Sequence, residues 1–252
     1  MKEKHVRRTT SSRAVALGAI AALALSGCNS SSSTTKTPTK SSGFVPPALK
    51  ALDKLGTPEG SVNVLAWPGY VEDGSNDKTV DWVTGFEKSS GCQVNIKTFG
   101  TSDEAVQLMR TGQYDTVSAS GDATLRLIAG GDVEPVNTSL ITNYPDIFPA
   151  LKNKPWNSVN NVPYGIPHGR GANLLMYRTD KVRPAPDSWS VVFEGTTAYK
   201  GAVTAYDSPI YIADAALYLM NKKPQLGIKN PYALDATQLA AAAAQGAEGR
   251  CR

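Results

Sequence analysis

The sequence predicts an α/β fold, a parallel sheet doubly wound by helices. Three observations carry that reading. Short apolar strands alternate with amphipathic helices from Val62 to Gly131, the connections between them are brief, and no segment repeats. Strand and helix alternating at this spacing build a parallel sheet with helices on its faces.

A lead-in, Phe44 to Glu59, is expected to hold one amphipathic turn or helix over Pro47 to Leu55. Val62 to Trp67 (VNVLAW) is β-branched and apolar enough for a buried strand, ended by Pro68-Gly69. Asp77 to Lys88 is predicted helical, with Val80, Val83 and Phe86 at helical spacing, Trp82 beside them, and Gly91 as C-cap. Cys92 to Phe99 alternates as a second strand. Thr101-Ser102-Asp103-Glu104 has capping-box spacing and starts a helix that runs towards Gly112.

Tyr114 to Gly131 (YDTVSASGDATLRLIAGG) supplies the third strand, a small polar turn at Ser118 to Asp122, and a third helix ending at a Gly pair. Ligands of open α/β sheets bind at the carboxyl edge of the strands, so this turn is expected to form one wall of a cleft. Asp132 to Pro163 reads as loop, with five prolines. Asn173 to Tyr177 and Ala202 to Tyr206 are strand candidates of a second half. Ser208 is the expected N-cap, with Pro209 at N1, of a helix over Ile210 to Asn221. Asp235 to Gln245 is a strong helix former, and Gly246 to Arg252 shows no periodicity.

The chain has 252 residues, 41% hydrophobic and 19% charged, which suits one or two globular domains. Its formal charge of +4 is local. Five of the 26 Lys and Arg and one of the 22 Asp and Glu fall within residues 1–27, so the remainder balances at 21 of each sign. That balance removes the electrostatic case for a nucleic-acid partner. Residues 1–27 join a basic start to an apolar run from Ala14 to Leu25, too short for a permanent span, and read as a secretory signal peptide. Leu25-Ser26-Gly27-Cys28 resembles the bacterial lipobox, which makes Cys28 the expected lipidation site and the membrane a partner through a lipid anchor on the extracytoplasmic face. The Ser/Thr/Lys/Pro tract from Asn29 to Gly43 then serves as a flexible leash. Cys92 and Cys251 could pair in an oxidising compartment, or Cys92 is a buried thiol.

Catalytic sets are scarce. Beyond the signal segment His168 is the one histidine, which leaves no two-His metal site, and it reads as a hinge or cleft-lining residue. No GxSxG elbow or phosphate-loop Lys motif is present. No cofactor or metal is expected. What stands out is a set of aromatic and polar residues at predicted strand ends: Trp67 and Tyr70 after the first, Ser120 and Asp122 after the third, Asp207 after the strand of the second half. Rings and carboxylates together suit a cation carrying methylenes. Each has a plainer role open to it: Trp67 as core, Asp122 as helix cap, Asp207 as turn residue.

VLAWPGY, FEKSSGCQVNIKTFGTSDEAVQLMRTGQYDTVSAS, IAGGDVEPVN and YGIPHGRGANLLMY, in this order, resemble the spermidine/putrescine-binding family of bacterial ABC-importer lipoproteins. The similarity runs from about Ser61 to about Tyr218. It implies a type II periplasmic-binding-protein-like fold, two lobes closing on a solute that is handed to permease subunits. The expected organisation is a signal peptide over 1–27, a lipid-anchored linker and lead-in over 28–59, a first lobe over 60–168 and an incomplete second lobe over 169–252. The resemblance implies that Trp67 and Tyr70 contact ligand, that Ser120 lines the cleft, and that Asp207 reaches an amine. Ile210 stands where polyamine binders often carry a further acid, and Arg170 where they often carry an aromatic residue. Both departures turn the expectation from a highly charged polyamine towards a monoamine or another small polar solute. The tail after Gln245 is unlike the family and reads as a truncated product. The alternative class is an extracytoplasmic enzyme using Asp122, Asp207 or His168, or a surface sensor on the same fold.

Overall fold

Three parallel strands and the helices between them carry the first half of the fold. β1 (Ser61–Ala66), β2 (Gln93–Thr98) and β3 (Thr116–Val117) lie in the order β2-β1-β3, with Val64 opposite both Ile96 and Thr116. The strand that comes first in sequence is central, and Leu65 and Ala66 at its carboxyl end are fully buried. This computed structural model describes residues 45–194, 199, 201–205 and 207–250, all within one compact unit, Ser42–Arg252. The expected signal peptide, Cys28, the tether, and the Cys92–Cys251 pairing through Cys251 lie outside the described residues.

Local chemistry sets the helix boundaries. α1 spans Val83–Ser90, six residues shorter at its start than the periodicity predicts. Aspartates hold residues 73–82 in turns instead. Asp73 accepts from Ser75 N–H, Asp77 from Thr79 N–H, and Asp81 from Thr84 N–H. Such side-chain acceptors compete with the helix ladder and favour caps and turns. Gly91 ends α1 in the left-handed region at φ 71°, its N–H reaching Glu87 O. α2 (Ser102–Met109) opens on the expected box: Thr101 Oγ1 accepts from Glu104 N–H at 3.1 Å. The Glu104 carboxylate returns to Gly100 N–H, one residue earlier than the standard box. Thr101→Ala is expected to cost about 1 kcal/mol, read from the midpoint of chemical denaturation. α3 (Gly121–Gly130) follows the polar turn and ends at Gly131, φ 72°.

Leu65, Phe99, Ala105, Val106, Met109, Ala123 and Leu127 make the core between this sheet and its helices. A second core forms where α4 (Ser190–Phe193), α5 (Ile210–Lys222) and α6 (Ala236–Arg250) meet. There Phe193 stacks on Tyr211 at 5.5 Å and on Tyr218 at 5.1 Å, over Ala215, Ala216 and Leu219. Among the described residues no helix is long and apolar enough to cross a membrane.

Five expectations are corrected. Residues 47–55 run without helix, and Leu52 O is taken by Asn137 Nδ2 from across the fold. Residues 173–177 and 202–205 form no strand, and among the described residues no neighbouring segment pairs with them; Tyr206, the end of the second candidate, lies outside the described residues, and Leu174 and Met176 stay exposed. The loop over 132–163 contains a small hairpin, β4 (Ser158–Val159) with β5 (Val162–Pro163). Ser208 does not cap α5 with its side chain; its backbone carbonyl accepts from Tyr211 N–H, while its buried hydroxyl has no hydrogen-bond partner among the described residues. Finally, α6 does not stop at Gln245. Gly246 is buried against the Tyr211 ring and Gln245 Nε2 reaches Phe193 O, so packing carries the helix through to Arg250. At its other end Asp235 and Gln238 form a reciprocal capping box, as the N-cap Asp predicts.

Candidate functional site

A cleft of about 1550 Å³ opens along the carboxyl ends of β1 and β3. Parallel pairing brings these ends to the same edge, so the turns that follow β1 and β3 must converge there. Trp67 follows β1 directly. Its ring rests on buried Phe99 at 4.6 Å, tilted by 57°, and its remaining surface lines the cleft. Trp67 is thus half core and half wall. Tyr70 follows the Pro68-Gly69 turn, its N–H bonded to Trp67 O, and its ring lies 5.0 Å from the His168 imidazole. Both Tyr70 and His168 line the cleft.

The turn after β3 contributes Ser118 to Gly121. Ser120 occupies the N-cap position of α3, yet its hydroxyl caps nothing; it lies 3.2 Å from the Ser102 hydroxyl. Asp122 sits one turn inside the cleft floor, buried, accepting from Ser102 Oγ at 3.3 Å through Oδ1. Its Oδ2 has no hydrogen-bond partner among the described residues. The helix N-terminus favours its negative charge. Asp122 therefore backs the wall rather than forming its surface. Asp207 is placed elsewhere. It lines a smaller depression of about 310 Å³ with Thr101, Asp103 and Ser208. So Trp67, Tyr70 and Ser120 are brought together, Asp122 lies behind them, and Asp207 stands apart.

Four further residues of the lining stand out. Asp214, on α5, is a half-buried acid of the lining, which also carries Asp115, Asp132 and Glu134, and its Oδ1 accepts from Asn173 Nδ2 at 2.9 Å. Burial pushes its pKa up to about 6; the negative charge of Asp122 adds to the rise and the Asn173 bond opposes it. Trp156 packs its Cβ against Gly121, and Tyr232 lays its ring edge against the same Gly. Burial raises the Tyr232 pKa, the charges of Asp214 and Asp122 raise it further, and Arg170 opposes them. Arg170 stands over the Trp156 ring, Cζ 5.9 Å from its centroid. Asn230 Nδ2 bonds Pro155 O at 3.0 Å, tying the Tyr232 loop to the Trp156 loop. Sequence reasoning passed over Asp214, though it left a signal: Asp214 is the one charged residue between Ile210 and Asn221, in an otherwise apolar helix. Trp156 and Tyr232 left none, because each lies in a loop.

The arrangement offers aromatic faces, hydroxyls and desolvated carboxylate charge, a chemistry of binding. Among the described residues no group of three or more His, Cys, Asp or Glu is placed to hold a metal ion.

Residues 81–247 match the family model described as bacterial extracellular solute-binding protein. The spermidine/putrescine-binding periplasmic protein of Escherichia coli is 26% identical over 155 residues, covering 60% of this chain and 41% of that protein. The putrescine-binding periplasmic protein SpuD of Pseudomonas aeruginosa is 26% identical over 188 residues, covering 70% of this chain and 49% of that protein. The chain thus spans less than half the length of these relatives. Of the solved structures, the spermidine/putrescine ABC transporter substrate-binding protein PotD from Streptococcus pneumoniae aligns at TM-score 0.46 and 17% identity, over 73% of this chain and 52% of that one.

Proposed function

The chain belongs to the bacterial extracellular solute-binding protein family, and from that premise we propose that it captures a small amine-bearing solute for an ABC importer. The observation that carries the reading is Asp214, a partly desolvated carboxylate held in a cleft walled by Trp67, Tyr70, Trp156 and Tyr232. A carboxylate in such a setting pairs with an ammonium, and the rings contact the methylenes. The names of the relatives, which specify spermidine and putrescine, point to the same ligand chemistry.

In this proposal residues 60–168 and 169–252 act as two lobes. Trp67, Tyr70 and Ser120 come from the first and Asp214 from the second, with Asp122 as a charge behind the wall. Closure on the solute makes the protein recognisable to permease subunits. Residues 1–27 direct export, and lipid on Cys28 holds the protein to the outer face of a membrane.

Calorimetric titration with amines tests the reading. Saturable one-to-one binding is expected, and its absence for every amine would sink the proposal. Trp67→Leu keeps apolar volume on Phe99 but removes the ring face, and is expected to weaken an amine by about 1 kcal/mol. Asp207→Asn is expected to cost less affinity than Asp214→Asn, because Asp207 faces the smaller depression. A larger loss at Asp207 in the same titration would make Asp207 the main amine contact.

A further inference from the structure

We infer that Ser102 and Asp122 fix the direction of the Ser120 hydroxyl, so that Ser120 meets the solute as a hydrogen-bond acceptor and the cleft selects a nitrogen that carries N–H over a quaternary ammonium. This rests on the capture function proposed above and narrows its ligand.

The three side chains form a hydrogen-bonded chain that runs from the interior to the cleft wall. Asp122 and Ser102 are buried, at 8% and 0% exposure, and neither lines the cleft, whereas Ser120 does. Ser102 Oγ donates to Asp122 Oδ1 at 3.3 Å and lies 3.2 Å from Ser120 Oγ. Direction follows from the protons available. A carboxylate only accepts, and a hydroxyl has one proton and two lone pairs. The start of α3 favours the ionised form of Asp122. Its Oδ2 has no hydrogen-bond partner among the described residues, so Ser102 supplies the bond that this buried charge needs. A hydrogen bond to a charged acceptor is roughly twice as strong as one between neutral groups, so the Ser102 proton goes to Asp122 rather than to Ser120. Ser120 must then donate in the contact between the two hydroxyls. That spends its one proton, and lone pairs remain for the solute. The Ser120 hydroxyl caps no backbone N–H of α3, which leaves those lone pairs available.

This acceptor stands among the rings. Ser118 N–H bonds Leu65 O at 2.8 Å, and Trp67 and Ser120 each follow two residues beyond that shared rung at the carboxyl edge of the sheet. Gly121, next in the chain, packs against Trp156 Cβ and the Tyr232 ring. Aromatic faces attract primary and quaternary ammonium groups alike. Ser120 separates the two. A primary ammonium donates to its lone pair. A trimethylammonium brings methyl groups to the oxygen, which loses its bond to water and gains none in return.

The test is calorimetric titration of the full chain with n-alkylamines and α,ω-diamines, each beside its N-trimethylated counterpart, over increasing chain length. The primary amine is expected to bind about tenfold or more tightly than its counterpart. Ser120→Ala is expected to remove most of that preference, and α3 persists because the lost hydroxyl caps nothing. Ser102→Cys keeps the buried shape but offers Asp122 and Ser120 only a weakly bonding sulfur, and is expected to lower the preference part of the way. The readout is the ratio between matched ligands, which a general loss of stability does not move, and the thermal midpoint shows that each variant folds. Equal binding of the matched ligands, tighter binding of the trimethylated ones, or a preference that Ser120→Ala leaves intact overturns the acceptor role and leaves amine capture standing. A preference that Ser102→Cys leaves intact overturns the part of Ser102 and Asp122 in it. Failure of every compound to bind overturns amine capture as well.

Discussion

Asp214→Asn is expected to weaken capture of an amine-bearing solute by about 2–5 kcal/mol, roughly thirtyfold or more, when measured above pH 6. The substitution keeps the size of the side chain and the Asn173 contact surface but removes the charge. Its effect reverses with pH. Burial raises the Asp214 pKa to about 6, so the folded, ligand-free protein holds this proton more tightly than the unfolded chain does. The stability that this group contributes is fully present below the ordinary carboxylate range and is lost as pH rises through about 6. Above that value the ligand-free Asn variant is expected to be more stable than the parent, and denaturation midpoints on either side of pH 6 check this. Ligand affinity runs the other way. An ammonium binds the ionised carboxylate, so affinity in the parent is expected to fall as pH drops below about 6. Among the described residues the groups that act on Asp214 include Asp122 from α3, Tyr232 from the loop before α6, and Asn173 from the segment before α4. His168 lies on the same cleft and is retained in Asp214→Asn, so any slope that survives the substitution belongs to a group other than Asp214. Equal affinity of the two proteins above pH 6 would remove Asp214 from the site.

Gly121→Ala is expected to destabilise the protein by about 1–2 kcal/mol although it sits in a helix. In an exposed helix the change would favour the fold by about 0.5–1 kcal/mol. Here a Cβ would stand 2.7 Å from Trp156 Cβ and 3.2 Å from two Tyr232 ring carbons. One of the two loops must move, and overpacking of this kind costs about 1–3 kcal/mol. Because Trp156 carries Arg170 and Tyr232 borders Asp214, ligand affinity is expected to fall with stability. Chemical denaturation and titration on the same sample measure both. A stabilised Gly121→Ala protein would show that the Trp156 and Tyr232 loops yield freely.

Much of the first half was legible in the sequence because its signals are local. The β-branched apolar run from Val62 to Ala66 marks β1, the Thr101–Glu104 spacing marks the start of α2, and Gly91 and Gly131 mark helix ends that continue at φ > 0. The start of α1 misled, since Asp73, Asp77 and Asp81 hold turns through bonds to residues two or three further on, a competition that apolar spacing does not register. Residues 173–177 misled for another reason. Their pattern is strand-like, but a strand exists only where a neighbour pairs with it. In the cleft, Trp67, Tyr70 and Ser120 were readable because each directly follows a strand that the pattern reveals.

By itself the sequence determined the αβ winding order of the first half, the caps of α2 and α6, the glycine ends of α1 and α3, and the candidates Trp67, Tyr70 and Ser120. These follow from side-chain periodicity and from bonds between residues at most four apart. The tertiary structure alone decided that Asp214 joins the cavity lining. Asp214 lies 92 residues beyond Asp122 in sequence, yet the two carboxylates share one electrostatic environment with Tyr232 and Arg170. It also decided that Asp207 faces a separate depression and that the chain after Gln245 stays helical against Tyr211. Desolvation and charge–charge coupling depend on distances through space, and those are fixed only when both cores have packed.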